Sequence, residues 1–295
     1  MVDYKKIENK SEYIMYRDSQ ITKLDELGKE WTEVNYKQAV LLSYWYEDYE
    51  RFLRKEERFK SQNRYFKYKR GQILFVNFGY RVGHELGGNH YCVVVSKNDT
   101  IHSGNISVIP LRSFKNKINT NFQVDLEYSL QLSIMKVLNK SLKKLEDINE
   151  SIKNITRTLE YILFNRDKNY ILESLDNLIS ECTDKNILTL IEKLKVAYII
   201  NDSEEISKST DKILAYMENR TEQSEREIQI LEEKKKTALE LNKKSIADIN
   251  QITTISKLRI LNPCRKEDSL SNVILDSKYL DLINEKIKEL YVFDK

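Results

Sequence analysis

The chain has 295 residues, 40% of them apolar, which is enough for one large or two modest domains with a buried core. Lys and Arg total 49 against 46 Asp and Glu, so no global basic field points to nucleic acid and any such site must be local. The cysteines Cys92, Cys182 and Cys264 have no spacing typical of zinc or disulfides, so we expect reduced thiols. The N-terminus lacks an apolar signal core, and no stretch approaches the roughly 20 apolar residues of a membrane span. We therefore expect a cytoplasmic protein without a membrane partner.

The first predicted element is an amphipathic helix from about Tyr36 to Phe59, within an N-terminal helical extension over 1–66. Its apolar and aromatic residues recur at helical spacing: Leu41, Tyr44, Trp45, Tyr49, Phe52 and Leu53. This stripe offers rings on which bases would stack, but such stripes usually pack against other elements. We therefore assign it to packing.

A β-rich segment follows, because six of the seven glycines and one of the two prolines lie between positions 71 and 110. Three runs of β-type residues bounded by turn residues predict three strands. The runs are Ile73–Val76, Tyr91–Val95 and Ile106–Ile109.

The middle of the chain is predicted to be helical over 129–244, since glycine and proline are absent from about 130 to 244. Apolar residues there alternate at spacings of three and four, which is typical of a heptad seam: Leu142, Leu145, Ile148, Ile152, Ile155, Leu159 and Ile162. Further helical patterns cover Tyr170–Tyr198 and about 206–241, and cap-forming residues at 165–167 and 201–203 predict the reversals. We expect three helices in an antiparallel coiled-coil bundle or hairpin.

β-type residues return at Ile246–Ile255, Pro263 punctuates a loop, and Tyr279–Tyr291 predicts a short amphipathic helix. The last part of the chain, 245–295, thus has the composition of a resumed sheet domain with a terminal helix.

Several of these segments together resemble the MazF/PemK family in order and spacing. The resemblance is carried by Arg70–Gly79, Val82–Gly88, Val93–Asp99, Ser107–Leu111 and Asn250–Ile260. It covers about 69–127 and 245–292, and it implies an α+β protein with an SH3-like β-barrel whose first part, 67–128, and second part, 245–295, flank the helical insertion. An insertion of this length is tolerable where its two ends emerge close together.

The resemblance also implies an activity. Members of this family are toxin-like endoribonucleases that cleave single-stranded RNA by attack of a ribose 2′-hydroxyl on the adjacent phosphate. We therefore expect an RNA substrate, an antitoxin protein as partner, a homodimer, and no metal or cofactor.

The reaction needs a base, an acid, and a cation for the phosphoryl oxygens. His84 and His90 lie in and just after the glycine-rich segment, where a phosphate can approach the backbone, and are the acid–base candidates. By matching, Glu85 falls on the family's loop carboxylate. The chain departs from the family pattern in two places, since His90 occupies the position of the catalytic arginine and Arg112 that of the catalytic threonine. If these exchanges are complementary, His90 moves protons and Arg112 neutralises the phosphate.

Further residues are candidates for contacts with RNA: Arg70, Arg81, Ser113, Asp248, Asn250 and Lys257. The ordinary interpretation of such residues is a solvated surface. Two other functions stay open: a catalytically inactive MazF-like module whose helical insertion recruits a protein partner, and a gyrase-poison-like toxin on the same fold.

Overall fold

The computed structural model describes residues 6–59, 64–164, 167–182, 184–240 and 243–292. The chain forms two compact units, one made of Met1–Ser133 with Lys243–Lys295 and the other of Ile134–Asn242. No helix in the described part of the chain is both long and apolar enough to cross a bilayer. The division into an extension, an interrupted sheet domain and an insertion stays a proposal.

Helices and antiparallel strands are mixed, so the predicted α+β class is confirmed. In chain order the elements are α1 (Lys10–Val34), α2 (Tyr36–Arg58), β1 (Ile73–Asn77), β2 (Asn89–Val94), β3 (Asn105–Ser113), β4 (Gln123–Asp125), α3 (Ser129–Phe164), α4 (Lys168–Glu181), α5 (Lys185–Ile200), α6 (Ser203–Glu240), β5 (Ser245–Asp248), β6 (Thr253–Ser256), β7 (Ile260–Asn262) and α7 (Ser277–Tyr291).

The described part of the N-terminal extension contains two α-helices. The amphipathic helix predicted from about Tyr36 is confirmed as α2, which buries Ala39, Leu42 and Phe52. The preceding helix, α1, contributes no buried side chain. The apolar residues of α1 do not recur on one face of the helix, so the sequence pattern did not predict a separate helix here.

The sheet is antiparallel and is organised around β3. The three strands predicted in the glycine-rich segment are confirmed as β1, β2 and β3. The first half of β3 pairs with β6, with Asn105 opposite Ser256, and its second half pairs with β5, with Ser113 opposite Ser245. Strands from both sides of the helical unit therefore complete one sheet.

Strands β6 and β7 follow each other in the chain but pair with different strands of this sheet. β7 pairs with β1, β6 pairs with β3, and a single 3₁₀ turn, Lys257–Arg259, joins β6 to β7. One face covers an apolar core made of Tyr68, Leu74, Val76, Phe78, Cys92, Val94, Ile106, Val108, Ile255 and Ile260. This arrangement supports the SH3-like barrel, which stays a prediction.

Among its described residues, the second unit contains four helices rather than the predicted three. The pattern over Tyr170–Tyr198 is divided between α4 and α5, because the carboxylate of Asp184 accepts hydrogen bonds from the amides of Asn186 and Ile187 and starts a new helix. The reversal at 201–203 is confirmed, with Asn201 in the left-handed region. Residues 165 and 166 of the other predicted reversal lie outside the described residues. Most of the predicted seam faces the apolar core of this unit: Ile148, Ile152, Ile155, Leu159 and Ile162. Whether the unit is a coiled coil stays open to test.

Candidate functional site

The glycine-rich loop, Phe78–Gly88, connects β1 to β2. Two backbone hydrogen bonds of 2.8 Å close its base. The amide of Phe78 donates to the carbonyl of Gly88, and the amide of Gly88 donates to the carbonyl of Gly79. Gly79 has a φ of +80°, and a Cβ there would lie 2.8 Å from the ring of Trp45. Only glycine allows the backbone to take this conformation so close to α2.

Helix α2 packs directly against this loop. The Tyr80 hydroxyl donates to the Gln38 side chain at 2.8 Å, and the Asn77 amide donates to Asp48 at 2.5 Å. The Asn77 carbonyl in turn accepts from the amide of Gly79 at 2.8 Å. Between α2 and the loop lies a cleft of about 390 Å³, which we call the α2 cleft.

His90 is half-buried in β2, opposite Val76. Burial of the ring lowers the pKa of His90 below its ordinary value of 6.5, although hydrogen bonding between the ring and the backbone of Gly87 and Leu111 acts in the other direction. The imidazole is therefore neutral at pH 7, in the form that accepts a proton.

Arg112 lies next to Leu111 and so comes close to His90. β2 and β3 pair with Cys92 opposite Pro110. The paired register of β2 and β3 ends at these residues, and beyond it the His90 ring contacts the backbone of Leu111, the neighbour of Arg112. His90 and Arg112, the two residues at which the chain departs from the family pattern, thus lie near each other at one end of the sheet.

A buried carboxylate holds the Arg112 guanidinium. Arg112 Nη2 lies 3.2 Å from Asp248 Oδ2, with the Arg112 side chain 42% exposed and that of Asp248 only 5% exposed. Gln123 donates to the same carboxylate oxygen at 3.4 Å, while Asp248 Oδ1 has no hydrogen-bond partner. Asp248, predicted to contact RNA, is buried against Arg112, and we propose that it positions the guanidinium instead.

Glu85, Arg81 and Asn250 meet in a second cleft, of about 250 Å³, beside Pro110 of β3. Arg81 Nη1 lies 3.6 Å from Glu85 Oε2, and Arg81 Nε donates to the Phe78 carbonyl at 2.9 Å. Glu85 and Asn250 are exposed. The loop and the segment after the helical unit thus share one surface, which we call the β3 cleft.

His84 is exposed on the outer part of the loop and lines neither of these two clefts. Its backbone carbonyl accepts from Gln251 Nε2 at 3.4 Å, and Gln251 Oε1 accepts from the amide of Leu86 at 3.1 Å. Gln251, which sequence reasoning did not select, therefore fastens the loop to the late segment. Ser113 is exposed at the end of β3, next to Arg112.

Two predicted RNA contacts are structural residues instead. Arg70 donates to the Val95 carbonyl and to the Asn284 side chain of α7, at the far end of β2 from His90. The Lys257 side chain is 2% exposed and pairs with Asp99 at 2.8 Å. Neither side chain is available to a ligand at the site.

Loss of the Lys257 ammonium is expected to destabilise the protein severely. Lys257 also donates to the carbonyls of Thr100 at 2.9 Å and Phe66 at 3.2 Å, so Lys257→Ala leaves the buried Asp99 charge and two acceptors without this donor. Breaking a buried pair in this way costs about 3–5 kcal/mol. Urea denaturation of the wild type and the variant measures the loss, with the exposed Lys97→Ala as control. Equal midpoints for all three proteins would contradict the structural role.

No group of three or more His, Cys, Asp or Glu side chains in the described residues is arranged to hold a metal ion. The cysteines are free thiols, with Cys92 buried, Cys182 partly buried and Cys264 exposed. Burial raises the pKa of the Cys92 thiol well above its usual range.

Comparison with known proteins identifies one segment of the chain. No curated protein matches the sequence. A family model described as the PemK-like, MazF-like toxin of type II toxin–antitoxin systems matches residues 69–158. The matched segment runs from the start of β1 through β4 into α3, and it does not include the late strands at which the resemblance was expected to resume. Over residues 69–158, the chain is therefore similar to the PemK-like, MazF-like toxin family.

Proposed function

We propose that the protein is a toxin-like, metal-independent endoribonuclease that cleaves single-stranded RNA. One observation supports the proposal: the His90 ring contacts the backbone of Leu111, next to Arg112, whose guanidinium pairs with the buried Asp248. A neutral base and an oriented cation are thereby present at one sheet end, within a domain of the toxin family.

The chemistry follows from these two groups. The neutral His90 ring removes the proton of a ribose 2′-hydroxyl, and the resulting oxygen attacks the adjacent phosphorus. The Arg112 guanidinium donates hydrogen bonds to the phosphoryl oxygens as negative charge develops on them. The bond to the 5′-oxygen breaks, and that oxygen takes a proton from solvent at the open side. The products are a 2′,3′-cyclic phosphate and a 5′-hydroxyl.

The surroundings of the site give the RNA strand a path. Arg81 and Asn250 line the β3 cleft, and Ser113 is exposed beside Arg112. We assign these three residues to RNA contacts, and Glu85 to orienting Arg81. The proposal includes an SH3-like barrel, a homodimer, a cytoplasmic location and an antitoxin that covers the site.

The test is the end chemistry of the products in EDTA. We expect the purified protein to cut a long single-stranded RNA without added metal and to leave 2′,3′-cyclic phosphate and 5′-hydroxyl ends. An RNA carrying 2′-O-methyl groups at every position, which removes the nucleophile, must stay intact. Cleavage of that RNA, or 5′-phosphate ends, would reject this mechanism. An intact natural RNA together with capture of a protein partner through the helical unit would favour the inactive binding module.

A further inference from the structure

The α2 cleft adjoins the proposed site, but the reaction makes no use of it. One wall is formed by α2, which lies outside the segment matched by the family model. The other wall is the glycine-rich loop. The residues that line the cleft include Gln38, Leu41, Tyr44, Trp45, Tyr80 and Arg81. Its volume, about 390 Å³, is in the range of small-ligand sites.

The α2 wall presents aromatic and apolar surface to solvent. Tyr44 is 64% exposed and Leu41 is 44% exposed, although α2 buries other side chains in the same unit. Trp45 follows Tyr44 in the sequence, and its ring packs against Tyr49, with ring centroids 5.3 Å apart. Open aromatic rings at a cleft wall are the surfaces on which unpaired bases stack, whatever their sequence.

Arg81 lines the cleft together with the carboxylates Asp48 and Glu85, and Arg259 lies against the Trp45 ring of the same cleft. The Arg259 guanidinium lies 5.3 Å from the centre of the Trp45 ring, and its buried Nε has no hydrogen-bond partner. Within the described ranges, no carboxylate forms an ion pair with Arg259. Burial, and secondly the charge of Arg81, lower the pKa of Arg259. An anion bound at Arg81 would relieve this repulsion between two arginines.

Polar groups complete the cleft. The Tyr80 hydroxyl donates a hydrogen bond to Gln38 across it, and the Asn77 amide donates a second one to Asp48. The first pair joins α2 to the loop and the second joins α2 to the end of β1, so both walls of the cleft are fixed relative to each other. Amide and carboxylate groups beside aromatic rings supply the donors and acceptors that read the edge of an unstacked base.

We propose that the α2 cleft binds one unpaired nucleotide of the RNA substrate, with the base stacked on Tyr44 and Trp45 and a flanking phosphate at Arg81. Helix α2 then sets the base preference of the nuclease. This inference rests on the proposed function, since it places the RNA strand across the loop into the site of His90.

The test uses Trp45 as the reporter in a Trp31→Phe background, because the chain has only two tryptophans. Fully 2′-O-methylated oligonucleotides bind without being cleaved, so binding is read separately from catalysis. We expect saturable quenching of Trp45 fluorescence, weakened about fivefold or more by Tyr44→Ala, in line with the loss of one stacking contact. Tyr44→Phe, which keeps the ring, should restore binding.

The matched control is Tyr46→Ala, on the same helix. Tyr46 is 44% exposed and does not line the α2 cleft, so its loss should leave binding unchanged. Tripolyphosphate, which has the charge but no base, should quench Trp45 far more weakly than the oligonucleotides. Three results would overturn the inference even if RNA is cleaved. These are no quenching by the oligonucleotides, an equal loss of binding in Tyr44→Ala and Tyr46→Ala, or quenching by tripolyphosphate equal to that by the oligonucleotides. Tyr44-dependent quenching without cleavage would instead reject the nuclease proposal and keep the nucleotide site.

Discussion

His90→Ala is expected to lower the rate of RNA cleavage about 10²–10⁴-fold while the fold is retained. The variant removes a half-buried proton acceptor that lies near Arg112 and has its own pKa lowered by burial, and a general base contributes about this much to a rate. The measurement is single-turnover cleavage of a fixed RNA, with circular dichroism as the check on folding. His102→Ala is the control, because His102 is exposed on another loop.

The pH dependence tests the role of His90 more closely. Its pKa is lowered by burial, so the wild-type rate should stay level near pH 7 and fall only as the pH drops below 6.5, where the ring becomes protonated and can no longer accept a proton. The residual activity of His90→Ala should lack this acid limb. A variant that cleaves at the wild-type rate, or keeps the limb, would place the base elsewhere.

Arg112→Ala is expected to lower kcat about 10²–10³-fold with a small change in KM, because the guanidinium acts mainly on charge that develops in the transition state. Arg112→Lys should recover part of the loss, since it keeps the charge but not the planar array of donors. Steady-state kinetics on a short fluorogenic RNA separate kcat from KM. A change in KM alone would reassign Arg112 to simple strand binding.

Two further variants define how Arg112 is held. Asp248→Asn keeps the shape of the side chain but loses the charge 3.2 Å from Arg112, so its kcat should fall between those of the wild type and Arg112→Ala. Arg265→Ala removes an exposed arginine from the loop after β7 and should have no effect. Equal kcat for wild type and Asp248→Asn would show that the carboxylate does not position the guanidinium.

Much of the fold was predictable because its signals are local. The β-type runs and surrounding glycines predicted β1, β2 and β3, and helical spacing predicted α2. The break between α4 and α5 was missed because the apolar pattern continues across Asp184, whose capping role depends on one side chain. Lys257 was misjudged for a different reason. Sequence presents a lysine as solvated, whereas its burial depends on Asp99, a partner from a distant loop.

The site was predictable only in part. The glycine-rich loop, both histidines and Arg112 were selected from composition and resemblance, but the nearness of His90 to Arg112 depends on a contact between the His90 ring and the Leu111 backbone of another strand. The contributions of Asp248 and Gln251 come from the segment beyond the helical unit, which folds back onto β3 and the loop. Contacts across such a separation leave no local pattern.

The dual pairing of β3 has a consequence for the timing of activity during synthesis. When the ribosome has made β3, neither of its later partners exists, and the whole helical unit must be translated before Ser245 and Ser256 can pair with it. Domains generally fold as units as the chain emerges at about 5–20 residues per second, so the sheet end that carries Arg112 stays without its Asp248 anchor for several seconds. Under the proposed function, Arg112 therefore gains its anchor only after the helical unit has been translated.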